Sequence, residues 1–142
     1  MRSHPAITPL LVKSGAYRDL EHPVILARGD LGIYFVQAEK LCRDDPSFIE
    51  KYAADPVGMI AHAAGLMEQH PEFKMVIDAL AETVQHCFDD YEHHYVTAVS
   101  GGQRRDWLFS GLVAQTLKVP HLALFKDGLV QTPGYQVNAL VV

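Results

Sequence analysis

Cysteine is nearly absent: Cys42 and Cys87 are the only two, and they form no CxxC pair. This excludes a disulfide scaffold and the usual cysteine-based zinc motifs. It leaves two reduced, partly buried thiols, as expected of a cytosolic protein. No run of 18 apolar residues occurs, so no transmembrane helix is expected. The opening Met1-Arg2-Ser3-His4-Pro5 has no apolar stretch of signal-peptide length, and the expected location is cytoplasmic. Basic residues are outnumbered, 12 Lys and Arg against 17 Asp and Glu, for a net charge of -5. That balance argues against a nucleic-acid-binding surface over the whole protein, but leaves room for a small basic pocket. No internal repeat or low-complexity segment is visible. A Walker lysine, a GxGxxG pattern and an HExxH pair are all missing, which counts against a nucleoside triphosphatase, a dinucleotide site and a zinc peptidase. The eight histidines do not compensate. His93 and His94 are neighbours that point to opposite faces in a strand, and His62, His70 and His86 sit on different helical segments, so no metal site is expected.

What is present fits one α/β domain. Hydrophobic residues make up 49% of the 142 positions and charged residues 20%, enough for a single core. Residues Ala6 to Tyr17 read as a short helix, weakened by Pro9 and stopped near Gly15. His22 to Ala27 and Ile33 to Val36 read as strands around the wide glycine turn Arg28-Gly29-Asp30-Leu31-Gly32. Asp45-Pro46 and Asp55-Pro56 each place a capping aspartate before a proline suited to a first helical turn. Helical spacing follows at Met59, Ile60, Ala63, Leu66 and Met67, then, past His70-Pro71, from Phe73 to about Asp90. The acidic run Asp89-Asp90-Tyr91-Glu92 sits unfavourably at the carboxyl end of that helix.

From Tyr95 the pattern becomes strand Tyr95–Val99, loop Ser100–Arg105, a helix capped by Asp106, strand His121–Phe125, a polar loop, and strand Tyr135–Val142. A strand-helix-strand crossover of this kind implies parallel strands. The boundaries suggest an N-terminal helix-and-hairpin region over 1–41, a helical region over 42–92 and a partial parallel-sheet core over 93–142. Because the last strand is apolar and nothing follows it, the sequence is read as a truncation of a longer protein.

Three stretches could carry chemistry. Ser100-Gly101-Gly102-Gln103-Arg104-Arg105-Asp106 joins a strand to a helix. Two glycines there let backbone approach a ligand closely, amides at the helix start favour an anion, and Arg104 and Arg105 add donors in a fork suited to phosphate. The plain alternative is a tight turn with two solvated arginines. Lys126, leaving the end of a buried strand, is placed to meet a ligand at the sheet edge, or simply points to water. Gly29, Tyr34 and Phe35 offer aromatic surface after a glycine turn, which could stack on a flat heterocycle, or they alternate between core and surface of an ordinary hairpin. The Arg28-Gly29-Asp30 tripeptide is taken as chance.

In their order these pieces resemble the orotate branch of the type I phosphoribosyltransferases. Val24-Ile25-Leu26-Ala27-Arg28-Gly29 and Ile33-Tyr34-Phe35-Val36 are similar to that family's early hairpin. Val99-Ser100-Gly101-Gly102 and the helix from Asp106 are similar to its pyrophosphate loop, and Leu122-Ala123-Leu124-Phe125-Lys126-Asp127-Gly128 to the strand opening its mobile catalytic loop. Departures exist. The acidic pair with a Thr-Gly loop that should follow Val142 is not in the chain. Ala27 stands where orotate enzymes carry a lysine, and no basic residue follows Lys126.

The resemblance implies transfer of phosphoribosyl from phosphoribosyl pyrophosphate to a nitrogen of a base, with release of pyrophosphate. It further implies magnesium, for which this chain supplies no evident ligands, and a homodimer with no nucleic-acid or membrane partner. Ser100, Gly101, Gly102, Arg104 and Arg105 would hold pyrophosphate; Lys126 would be catalytic; Gly29, Tyr34 and Phe35 would meet the base. The alternatives are a non-catalytic nucleotide- or phosphosugar-binding regulatory module and a helical dimerisation protein.

Overall fold

A computed structural model describes residues 5–42, 45, 47–87 and 96–132. The elements run α1 (Ile7–Lys13), β1 (Tyr17–Ile25), β2 (Leu31–Val36), a 3-10 turn (Ala38–Cys42), α2 (Ser47–Lys51), α3 (Pro56–Gln69), α4 (Pro71–His86), β3 (Val99–Gly102), α5 (Asp106–Leu117), β4 (His121–Leu124) and β5 (Val130–Gln131). The result is a mixed α/β fold, as the sequence pattern implies.

The helices follow local chemistry. Asp55 Oδ1 accepts the Gly58 amide at 2.9 Å, and Pro56 occupies the first turn, so α3 starts where the sequence places it. In α4 the buried residues are Phe73, Val76, Ile77 and Ala81, one face at helical spacing. Helix α5 differs: Trp107, Leu108, Gly111, Leu112, Val113 and Ala114 are all buried. A helix apolar on most sides belongs in the middle, and α5 packs on α3 and α4 as well as on β3 and β4. A side chain at Gly111 would overlap that of Ile60, so glycine sets the close approach of α3 to α5. The core gathers Trp107, Phe73, Met59, Ile77, Leu108 and Leu112 around this helix. Lys118 takes the left-handed conformation, φ 57°, and ends it.

Two sheets form. β1 and β2 make an antiparallel ribbon whose register shifts between Asp19 and Val24, the interval containing Pro23. The second sheet has the order β3-β4-β5. β3 and β4 are parallel, from Val99 opposite His121 to Gly102 opposite Leu124, with α5 as the crossover. β5 is antiparallel to β4.

Several sequence expectations are corrected. β1 begins at Tyr17, five positions before the expected start at His22, because the bulge lets pairing continue past Pro23. Strand β3 starts at Val99 rather than Tyr95, and Ser100, Gly101 and Gly102 are ladder residues instead of loop. Asp106 is the first residue of α5 and not its cap; Arg105 stands at the cap position in αR conformation with no side-chain bond. The stretch after Lys126 contains a strand: Gly128, φ 90°, turns the chain back so that Leu124 pairs Val130. Cys42 is buried and Cys87 exposed, and no disulfide joins them. His93, His94, the acidic run 89–92, Tyr95, and the strand expected over 135–142 lie outside the described residues. Among those described, no helix is long and apolar enough to cross a membrane.

Candidate functional site

The carboxyl ends of β3 and β4 lie side by side because the strands are parallel and in register. In open α/β sheets this rim is where ligands bind. From β3 the chain passes through Gln103, Arg104 and Arg105 directly into α5. From β4 it passes through Phe125 to Lys126. Gln103, which the sequence reading did not single out, ties the two exits together. Its Oε1 accepts the Lys126 amide at 2.9 Å, and its Nε2 donates to the Ala53 carbonyl at 2.7 Å. One side chain thus joins the β3 exit, the β4 exit and the turn between α2 and α3. The Gln103–Arg104 peptide is cis.

The two glycines play unequal parts. Val99 donates its amide to Pro120 across the ladder at 3.0 Å. Ladder alternation then turns the Gly101 amide toward β4 as well, and the Ser100 and Gly102 amides the other way. Gly101 is buried. A Cβ there would lie 2.7 Å from Ser110 Cβ on α5, and the Trp107 indole donates to the Gly101 carbonyl at 3.0 Å. Gly101 is therefore a packing position under α5. Gly102 is half-buried, and the nearest atom to a Cβ there is an Asp106 carboxylate oxygen at 3.6 Å. Gly102 is the more open of the two, and Ser100 is an exposed strand residue.

Arg104 is half-buried and Arg105 exposed, and each has a carboxylate beside it. Arg104 pairs with Glu50 of α2. Arg105 lies 3.6 Å from Glu39 of the 3-10 turn, whose side chain is only 11% exposed. The rim thus carries two guanidinium groups, each held by a carboxylate from elsewhere in the chain. Lys126 is exposed at the start of a tight turn, where Gly128 donates to Phe125 and Phe125 to Leu129 at 3.0 and 2.8 Å.

The hairpin residues are arranged otherwise. Tyr34 is exposed on β2 and stacks on Tyr17 of its own ribbon at 5.6 Å. The Tyr17 hydroxyl donates to Asp19 at 3.1 Å, and that carboxylate raises the phenol above its ordinary 10.0. Phe35 lies opposite Arg18 in the ladder, and Gly29, φ 91°, forms the tip turn. Among the described residues, Glu39, just past β2, reaches the rim through Arg105.

Below the rim, Ser110 Oγ sits 2.7 Å from the Asp106 carbonyl and 2.8 Å from His121 Nε2. A hydroxyl has one proton. With it given to the carbonyl, Nε2–H must be the donor to Oγ, which leaves His121 Nδ1 as a bare acceptor. That nitrogen is buried and has no hydrogen-bond partner among the described residues, and burial lowers the His121 pKa below its usual 6.5. Glu39 and Glu50 face arginines, and no group of three or more candidate metal ligands gathers among the described residues.

No family model matches the chain, and no curated protein matches it. Solved structures similar in fold include two enzymes. Orotate phosphoribosyltransferase of Francisella tularensis is 12% identical with a TM-score of 0.44, over 89% of this chain and 50% of that one. UMP synthase of Leishmania donovani is 10% identical with a TM-score of 0.49, over 92% of this chain and 22% of that one. The chain therefore spans half the length of the first protein and less of the second.

Proposed function

We infer that the β3–β4 rim is a diphosphate site, and that the chain supplies the diphosphate-binding part of a phosphoribosyltransferase-like protein. The single observation that carries this is the parallel β3–α5–β4 unit, in which Gly102 is followed by Gln103, two arginines and a helix start, with the Lys126 amide fastened alongside by Gln103. In the reaction, a ring nitrogen of an orotate-like base attacks the anomeric carbon of phosphoribosyl pyrophosphate. The carbon–oxygen bond to pyrophosphate breaks, and its electron pair leaves with the pyrophosphate. The transition state is cationic at the sugar, so the protein has mainly to position the reactants and neutralise the leaving group. The Gly102 amide, Arg104, Arg105 and Lys126 serve that end, and Tyr34 and Phe35 are assigned to the base. A cytoplasmic homodimer with a 1–41 hairpin region over a 93–142 core belongs to the same reading.

A regulatory module that binds a phosphosugar without turnover is the second reading. The tight Lys126–Gly128 turn favours it, since a hairpin turn into β5 is not a loop free to close over substrate. Calorimetric titration with phosphoribosyl pyrophosphate tests the shared claim. Binding is expected, and Arg104→Ala with Arg105→Ala should abolish it while melting changes little. No heat with either protein returns the chain to the interaction-protein class. Pyrophosphate release in the presence of orotate then separates transferase from module.

A further inference from the structure

The two arginines assigned to the diphosphate already have anions. Glu50 on α2 holds Arg104, and Glu39 in the 3-10 turn stands 3.6 Å from Arg105. The two carboxylates come from different elements and converge on adjacent residues of one short loop. They are also unequal. Glu50 is mostly exposed, whereas Glu39 is nearly buried at 11%. Arg105 is itself 64% exposed and lies 3.6 Å away, so its hold on Glu39 is a loose, solvent-screened ion pair that a stronger anion can replace. The loop between them is fixed from beneath by Gln103, so it does not need these ion pairs to keep its backbone in place.

We propose that Glu39 and Glu50 are internal counter-anions that hold the rim closed, and that an incoming diphosphate must displace them from Arg104 and Arg105. The proposal rests on the diphosphate reading of the rim and adds its regulation. Binding becomes an exchange of partners. Two carboxylates are given up and one diphosphate, which can span both guanidinium groups, is gained. Weak apparent affinity in the closed state follows, as does strong dependence on the identity of positions 39 and 50.

The test uses the full chain and inorganic diphosphate as probe, by calorimetry at fixed ionic strength. Glu39→Gln and Glu50→Gln keep side-chain shape and a hydrogen-bonding oxygen while removing the charge. Together they should tighten diphosphate binding about fivefold, the scale of two partly exposed ion pairs. Glu50→Gln alone, at an exposed position, should give part of that gain even if the position-39 variant folds poorly. A charge-matched control, Glu21→Gln with Glu68→Gln at exposed sites, should leave affinity within twofold. Adding Arg104→Ala and Arg105→Ala to the double Gln variant should erase the gain. Equal affinity in wild type and the Gln variants overturns the counter-anion proposal and leaves the diphosphate site standing. A gain that the control reproduces, or that persists without the arginines, overturns it too. No binding by any variant removes the diphosphate reading and this proposal together.

Discussion

The rim and the β1–β2 ribbon both begin as a strand, a glycine and a turn, yet they are built on opposite principles. At the rim the links made by Gln103 and Arg104 reach far in sequence. Gln103 spans 50 positions to Ala53, Arg104 spans 54 to Glu50, and the strand beneath rests on the buried face of α5. In the ribbon nearly every link is local. Leu26 and Asp30 close the tip at 2.8 Å, Arg28 pairs with Asp30 at 2.7 Å, and Tyr17 stacks on its cross-strand neighbourhood. Its apolar side chains face outward, with Ile25 78%, Leu31 69% and Ile33 64% exposed. The contrast teaches that a glycine turn acquires a shaped surface from what packs under it. A two-stranded ribbon without such packing is marginally stable by itself.

The largest effect expected on the rim side is at Trp107. It is fully buried, packs edge-on to Phe125 at 4.9 Å and donates to Gly101. Trp107→Ala should cost about 3–5 kcal/mol in urea unfolding. A loss under 1 kcal/mol would show that the helix–strand contact is not what shapes the rim. Gly101→Ala comes next, at about 1–3 kcal/mol, since the new methyl must enter the space of Ser110. Ser110→Gly in the same chain should return part of that loss, because it removes the atoms met. Strict additivity of the two substitutions would place the strain elsewhere.

Gln103→Leu should cost about 1–2 kcal/mol through two lost hydrogen bonds. Hydrogen exchange should show the Lys126 amide losing protection more than amides of α4. This residue also marks the limit of what the sequence discloses. The parallel unit, the capped start of α3 and the amphipathic face of α4 were legible because each is encoded within a few positions: Asp55-Pro56, or Phe73, Val76 and Ile77. Gln103 was overlooked because a glutamine carries no local signal, and its two partners are backbone groups in other segments. The ion pairs of Arg104 and Arg105 were hidden for the same reason. At Gly101 a glycine that admits a ligand and one that admits a helix look alike until Ser110 is seen over it. The signal available was indirect: a small Ser110 and Gly111 on the one helix that is apolar nearly all round.

His121 sharpens the comparison by pH. Its burial disfavours the imidazolium in the folded protein. Below about pH 6.5 the unfolded chain takes up a proton that the folded one refuses. Unfolding free energy should therefore fall as pH drops from 7.5 through 6.5 and keep falling until the folded group itself protonates. In His121→Gln that slope should flatten, although the other histidines contribute to both proteins. An identical pH profile in the variant would mean that Nδ1 is satisfied in solution.

The smallest effect belongs to the ribbon. Leu31→Ser and Ile33→Ser replace exposed side chains, and away from packed sites such changes stay within about 0.5 kcal/mol. That near-silence is expected of a dilute sample, and it should hold at every protein concentration if the ribbon stands alone. A cost above 1 kcal/mol that grows with concentration would show instead that another surface covers Leu31 and Ile33 in solution. The contrast drawn here would then be between two packed regions, one packed from within the chain and the other from outside it. Because the same ribbon carries Tyr34, such a result would also require any base-binding role of that ring to be worked out in the assembled state.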